Sequence, residues 1–354
     1  MTRFAPLILG LALLVAHPCP VRAEEGRAVA ASAHAASTAS TAAPAARPKA
    51  KARVTAKARP KGRVRARPTV KAKARAKARA KARIVRKRPV VKAATRRLAA
   101  APRATKLAAL KSSAVLILDP KSGAELYRKN ADAVMPIASL TKLMTALVVL
   151  EAKQDMAQQL TVTGADVDRL KFSSSRLQVG TSLPRSAMLH IALMSSENRA
   201  ASALGRHYPG GTAAFVAAMN AKARALGMRS TRYVEPTGLS SANVSTPADL
   251  ARLVIAVEQH ALIRRYSTDR SFTIRQGRLR TAYHNTNRLT ANRSWRIRLQ
   301  KTGYIWEAGR CMVLYASVKG RPTVMVFLDA QGKYARAADA NSVRAWLASY
   351  RPPG

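Results

Sequence analysis

Between residues 47 and 111 the chain carries 26 lysines and arginines and not one aspartate or glutamate. In stretches such as KAKARAKARAKAR (residues 71–83) a cation stands at every second position, so i,i+4 neighbours repel despite the helix propensity of alanine. Pro44, Pro48, Pro60, Pro68, Pro89 and Pro102 interrupt any helix that begins. Such a segment cannot bury a core, so residues 24–112 are expected to be a disordered, solvated Ala/Lys/Arg/Pro-rich basic linker. Folding is thereby confined to residues 113–354. The formal net charge of +46 then divides, leaving 34 basic and 15 acidic residues in 112–354, a net +19.

The first 23 residues have the form of a signal peptide. Arg3 is a short basic start, residues 7–16 form an apolar run too short to span a bilayer, and Val21-Arg22-Ala23 offers small residues for cleavage. Export makes a histone-tail-like role for the basic segment improbable. No aromatic residue lies between Phe4 and Tyr127, so base stacking is unavailable, and no nucleic-acid partner is expected. The expectation is electrostatic contact of the linker with an anionic cell wall or membrane surface. Removal of the leader takes Cys19 and leaves Cys311 alone in an apolar run, where core packing is its default role.

The globular part begins and ends with strand pairs. Residues 114–118 and 124–128 flank the turn sequence Asp119-Pro120-Lys121-Ser122-Gly123, and residues 311–318 and 323–328 flank Lys319-Gly320-Arg321-Pro322. About 180 mostly helical residues lie between, and residues 335–350 carry Val343, Trp346 and Leu347 at helical spacing. The predicted class is α/β of the α+β type: an antiparallel sheet built from both chain ends, with flanking helices and an all-helical subdomain.

Three polar sites interrupt this apolar pattern. Pro136 precedes a helical run, which places Ser139 in the first turn, where free N–H groups and the helix dipole favour an oxyanion. Lys142 lies one turn on, at the head of the apolar LMTALVVL, where desolvation would favour a neutral amine able to act as a general base. No other serine of the chain has lysine at +3. Ser196-Glu197-Asn198 falls at a helix-to-helix corner, where a hydroxyl can relay a proton and an amide can hold a carbonyl. In the strand-like run 296–305, alternation places Lys301 on the apolar face with Ile297 and Leu299. Lys301 and Thr302 would bind a carboxylate there, and Gly303 would let a substrate backbone approach. Each motif is common alone: Ser241-Ala242-Asn243 and Lys121-Ser122-Gly123 are similar tripeptides in turns.

Ser-x-x-Lys, Ser-x-Asn and Lys-Thr-Gly in this order are the set shared by β-lactamases and penicillin-binding proteins. Together with MPIASLTKLMTALVVL, LMSSENRAASAL, HYPGG, AMNAKARALGM, EPTGLS, NVST, HNTNRL and LQKTGY, they make residues 113–350 resemble the low-molecular-mass penicillin-binding proteins of the D-alanyl-D-alanine endopeptidase type. The resemblance implies a D,D-peptidase/β-lactamase-like fold and serine acyl transfer without metal or other cofactor. Ser139 would be the nucleophile, Lys142 its base and Ser196 the proton relay. Asn198, Lys301, Thr302, Gly303 and Tyr304 would bind substrate, with the N–H groups of Ser139 and Tyr304 forming the oxyanion hole. Peptidoglycan peptide stems are the implied substrate, β-lactams the implied covalent inhibitors, and the periplasm the implied location. A D-alanyl-D-alanine carboxypeptidase shares all three motifs. A β-lactamase is disfavoured because Glu235-Pro236-Thr237-Gly238-Leu239 lacks the Glu-x-x-Leu-Asn pattern. A non-catalytic polyanion-binding protein on a dead peptidase scaffold is the remaining alternative. The resemblance does not extend to the basic linker, and no further C-terminal β-domain is expected.

Overall fold

A computed structural model describes residue 107 and residues 109–350. The leader and nearly all of the basic linker lie outside the described residues. Where they enter, the boundary moves: Leu107 and Leu110 are buried, and the backbone N–H groups of Lys111 and Ser112 donate to the Asp339 carboxylate at 3.0 and 2.8 Å. The linker was expected to run to residue 112. Its last residues instead pack on the domain, because two leucines placed three apart give them an apolar face.

The main sheet has five antiparallel strands in the order β2-β1-β11-β10-β9, formed by β1 (Ser112–Leu118), β2 (Glu125–Lys129), β9 (Arg296–Ile305), β10 (Gly309–Val318) and β11 (Arg321–Ala330). Both chain ends build it, since Ser112 on β1 pairs with Ala330 on β11. The near-continuous apolar runs of β1, β10 and β11 follow from burial on both faces. Val115, Ile117, Leu314 and Phe327 pack with Val343, Trp346 and Leu347 of the closing helix, while Leu116, Val313 and Val326 face the helical side.

That side holds six helices: α1 (Thr141–Glu151), α2 (Arg185–Met194), α3 (Asn198–Arg206), α4 (Gly211–Ala225), α5 (Pro247–Glu258) and α6 (Ala261–Thr268); α7 (Ala335–Ser349) covers the opposite face. The first nine residues of α1 are all buried, which is why its sequence is apolar all round. The Thr246 side chain caps α5 by accepting from Asp249 N–H, and Pro247 occupies its first turn.

The central region is less purely helical than its composition predicts. It also contains the short pairs β3 (Met135–Pro136) with β6 (Val244–Ser245), β4 (Gln159–Thr161) with β5 (Ser182–Pro184), and the hairpin β7 (Ser271–Gln276) with β8 (Leu279–His284). Pro136 therefore belongs to a strand and does not start α1. β9 is an edge strand, so one side of its backbone is open to an added peptide.

Candidate active site

Ser139 lies in a 3-10 turn, Ala138–Leu140, immediately before α1. The turn is forced by Ala138, whose φ of 47° is left-handed and breaks continuity with the helix. Two glycines make room for it. A Cβ on Gly238 would lie 2.0 Å from the Ala138 carbonyl oxygen, and one on Gly303 would lie 3.0 Å from both Ala138 Cβ and Ser139 N. Gly303 thus admits the serine turn itself to the face of β9, where the sequence suggests room for substrate. A non-glycine residue in this conformation costs about 1–3 kcal/mol, and such strain persists where the surroundings fix it.

Lys142 Nζ is the hub of the site. It contacts Ser139 Oγ at 3.0 Å, Asn198 Oδ1 at 2.7 Å and the Thr237 carbonyl oxygen at 2.6 Å. The last two are acceptors only. A neutral amine satisfies both with its two protons and turns its lone pair toward the serine hydroxyl, the arrangement a general base requires. Burial lowers the Lys142 pKa to about 8, against the opposing pull of Glu235, Glu197 and Asp168.

The partner at Thr237 is held by the EPTGLS loop, residues 235–240, to which the sequence assigns no role in the site. Glu235 accepts from Thr237 N–H at 2.6 Å, Thr237 Oγ1 at 2.5 Å, Gly238 N–H at 2.6 Å and Asn243 Nδ2 at 2.8 Å. Asn243 Oδ1 in turn accepts from Val234 N–H at 2.7 Å, and Thr145 Oγ1 ties Pro236 O to α1 at 2.6 Å. The Ser-x-Asn match at residues 241–243 thus includes an asparagine that braces this loop.

Ser196 occupies the corner between α2 and α3, as expected, with φ of 63°. Its Oγ accepts from Lys301 Nζ at 2.9 Å, and the same ammonium reaches the Thr302 carbonyl at 2.8 Å. Lys301 is fully buried, and desolvation first, then Lys142 and Arg336, lower its pKa well below that of a free lysine. Asn198 Nδ2 donates to Ser173 Oγ at 2.9 Å, which donates to Asp168 Oδ2 at 2.6 Å. Neither Ser173 nor Asp168 carries a motif that would have pointed to them.

Thr302 Oγ1 pairs with Thr286 Oγ1 at 2.7 Å; Gln300 and Thr302 are buried, bonded to Ser267, Asn285 and Thr286. Tyr304 is half-exposed at the open end of β9. Arg336, from α7, donates to the Gly303 carbonyl at 2.9 Å and to that of Cys311 at 3.3 Å, anchoring β9 from behind. Cys311 packs in the core, its thiol pushed up to about 12 by burial. Among the described residues no group of three or more His, Cys, Asp or Glu side chains could hold a metal. The structure thus brings Ser139, Lys142 and Asn198 into one hydrogen-bonded group and Ser196 and Lys301 into a second, near enough for Lys142 to act on the charge of Lys301, with Thr302, Gly303 and Tyr304 along the strand wall.

Residues 99–332 match the family described as D-alanyl-D-alanine carboxypeptidase. The chain is 48% identical over 240 residues to a D-alanyl-D-alanine endopeptidase of Pseudomonas aeruginosa, covering 67% of this chain and 77% of that protein. It is 44% identical over 238 residues to a D-alanyl-D-alanine endopeptidase of Escherichia coli, with the same coverage. Among solved structures it is similar to the Streptomyces K15 DD-transpeptidase, with a TM-score of 0.64 and 26% identity over 68% of this chain and 98% of that one. A D-alanyl-D-alanine carboxypeptidase of Mycobacterium tuberculosis gives a TM-score of 0.62 and 25% identity over 68% and 92%. The serine that a buried lysine addresses here thus stands in a recognised lineage, and the chain belongs to the D-alanyl-D-alanine carboxypeptidase family of serine peptidases.

Proposed function

We propose that the protein is an exported, periplasmic, penicillin-sensitive D,D-endopeptidase that hydrolyses D-alanyl-diaminopimelyl cross-links in peptidoglycan. The observation that carries this reading is the buried Lys142 amine, placed 3.0 Å from Ser139 Oγ with its other two contacts on obligate acceptors. The two curated relatives named above bear the endopeptidase name.

In this mechanism the substrate stem lies along the open edge of β9. Lys142 takes the Ser139 proton as Oγ attacks the D-alanyl carbonyl, and the N–H groups of Ser139 and Tyr304 receive the oxyanion. As the tetrahedral adduct collapses, Ser196 passes a proton to the departing amine and takes up the one that Lys142 removed from Ser139, which returns Lys142 to its neutral form, while Lys301 holds Ser196 Oγ in place. The amine carbon of diaminopimelate carries a carboxylate, which suits Lys301 and Thr302. Asn198 and Gly303 complete the contacts to the peptide. Water, with Lys142 again as base, then releases the acyl group. β-Lactams enter the same path and stop at the Ser139 ester.

Purified sacculi incubated with wild type should lose cross-linked muropeptide dimers in favour of monomers, with little free D-alanine from pentapeptides, while Ser139→Ala should leave them intact. Free D-alanine as the main product would establish the carboxypeptidase instead, the activity that names the matched family. Fluorescent penicillin labelling that does not depend on Ser139 would favour the non-catalytic polyanion binder. The basic segment is assigned to retention on an anionic wall or membrane surface, each clustered cation adding roughly 1 kcal/mol. Deleting residues 44–106 should release the protein from sacculi at low salt and leave penicillin acylation unchanged.

A further inference from the structure

Beyond Tyr304 the strand wall opens into a cavity of about 210 Å³, lined by Tyr304, Trp306, Arg310 and Lys333 among others. Arg310 faces Tyr304 directly across the β9–β10 ladder, and its guanidinium lies 4.6 Å from the centre of the Tyr304 ring. Among the described residues, neither Arg310 nor Lys333 has an acidic partner. Asp329, on β11, is engaged instead by Ser113 Oγ and Gln331 Nε2, both at 2.7 Å. Trp306 is 87% exposed, an unusual cost for the largest apolar side chain on the rim of a cleft.

The direction of β9 says what would reach this cavity. A peptide added antiparallel to its edge, with the scissile carbonyl at Tyr304 N–H, sends its leaving side toward Lys301 and its donor side past Ile305 to Trp306. In a peptidoglycan stem, the residues on the donor side of the D-alanine carry free carboxylates. We propose that the cavity is a subsite for a donor-stem carboxylate, with Arg310 as its ion partner, Lys333 adding positive charge, and Tyr304 and Trp306 forming apolar walls. This deepens the endopeptidase reading and rests on it. The cation–π contact holds the guanidinium in place beforehand, so little ordering is needed when the carboxylate arrives.

The test is a four-way comparison. Wild type and Arg310→Gln are assayed on a soluble cross-linked muropeptide dimer with free stem carboxylates and on the same dimer with only the donor-stem carboxylates amidated, with benzylpenicillin acylation as control. Arg310→Gln should raise KM for the free dimer roughly tenfold at unchanged kcat, and Arg310→Lys should recover part of it. Amidation should cause a similar rise in wild type and no further rise in Arg310→Gln. Equal losses on free and amidated dimers, or a matching loss of penicillin acylation, overturn the subsite. If wild type cuts neither dimer yet is acylated by penicillin, the endopeptidase reading fails instead. The same comparison on free and amidated pentapeptide then decides the subsite.

Discussion

Lys142 donates to the carbonyl oxygen of Thr237 at 2.6 Å, a contact between residues 95 positions apart. A carbonyl cannot return a proton, so this bond, together with the one to Asn198 Oδ1, takes up both protons of the neutral amine and leaves its lone pair for Ser139. The basicity of the site is therefore set as much by a backbone group of a distant loop as by the motif that contains the lysine.

The pH dependence follows from the lowered lysine pKa. Neutral amine predominates above about 8, so benzylpenicillin acylation should rise with pH through that value and fall about tenfold per unit below it. Lys142→Arg, whose guanidinium stays protonated, should lose roughly 10²–10⁴-fold in acylation rate across the whole range. Stopped-flow acylation between pH 6 and 9 checks both, and a flat wild-type profile contradicts the assignment of Lys142 as base.

Glu235 should matter for stability and rate together. Removing its carboxylate strands the N–H groups of Thr237 and Gly238 and loosens the carbonyl that Lys142 needs. Glu235→Ala is expected to cost about 2–3 kcal/mol and to slow acylation, with Glu235→Gln intermediate in both. Thermal unfolding beside penicillin labelling measures the pair, and a stable Glu235→Ala enzyme with normal acylation refutes the bracing role.

Gly238→Ala meets two obstacles: a φ of +85° and a clash of its Cβ with the Ala138 carbonyl at 2.0 Å. The neighbouring serine turn must shift, and a displacement of about 1 Å costs on the order of 10²-fold in rate. The expected signature is a folded protein by circular dichroism with acylation reduced to that degree.

Ser173→Ala leaves the Asn198 amide without its acceptor while keeping the Lys142 contact. Hydrolysis of cross-linked dimers should drop roughly tenfold in kcat/KM, more than acylation by benzylpenicillin, if Asn198 serves the peptide as proposed. Equal effects on both reactions would mean that Ser173 acts through the catalytic lysine instead.

The sequence made some of this legible and hid the rest for a physical reason. Ser139 with Lys142, and Ser196 with Asn198, are neighbours in the chain, and their spacing survives folding because each pair rides on one turn of backbone. Lys301 betrayed itself by interrupting an apolar face. Thr237, by contrast, contributes a carbonyl that every residue type possesses, and Ser173, Asp168 and Arg336 reach the site from segments whose local patterns are ordinary. The β7–β8 hairpin was masked by its alanine- and arginine-rich surroundings, and Leu107 and Leu110 by the cationic run that they end. Ala138 shows the same limit in reverse: alanine at a left-handed position goes against local preference and becomes intelligible only once Gly238 and Gly303 are seen on either side.

The pairing of Ser112 with Ala330 also sets the order in which activity can arise. A chain delivered N-terminus first presents β1 some 200 residues before its β11 partner, and the wall bearing Lys301 and Tyr304 is laid against β10 only near the end of delivery. Closure of such distant strands is slow relative to local helix formation. Until it happens, Ser139 has no strand beside it and no second lysine nearby, so a molecule whose sheet is unclosed is a latent hydrolase, its serine in place and its strand wall missing.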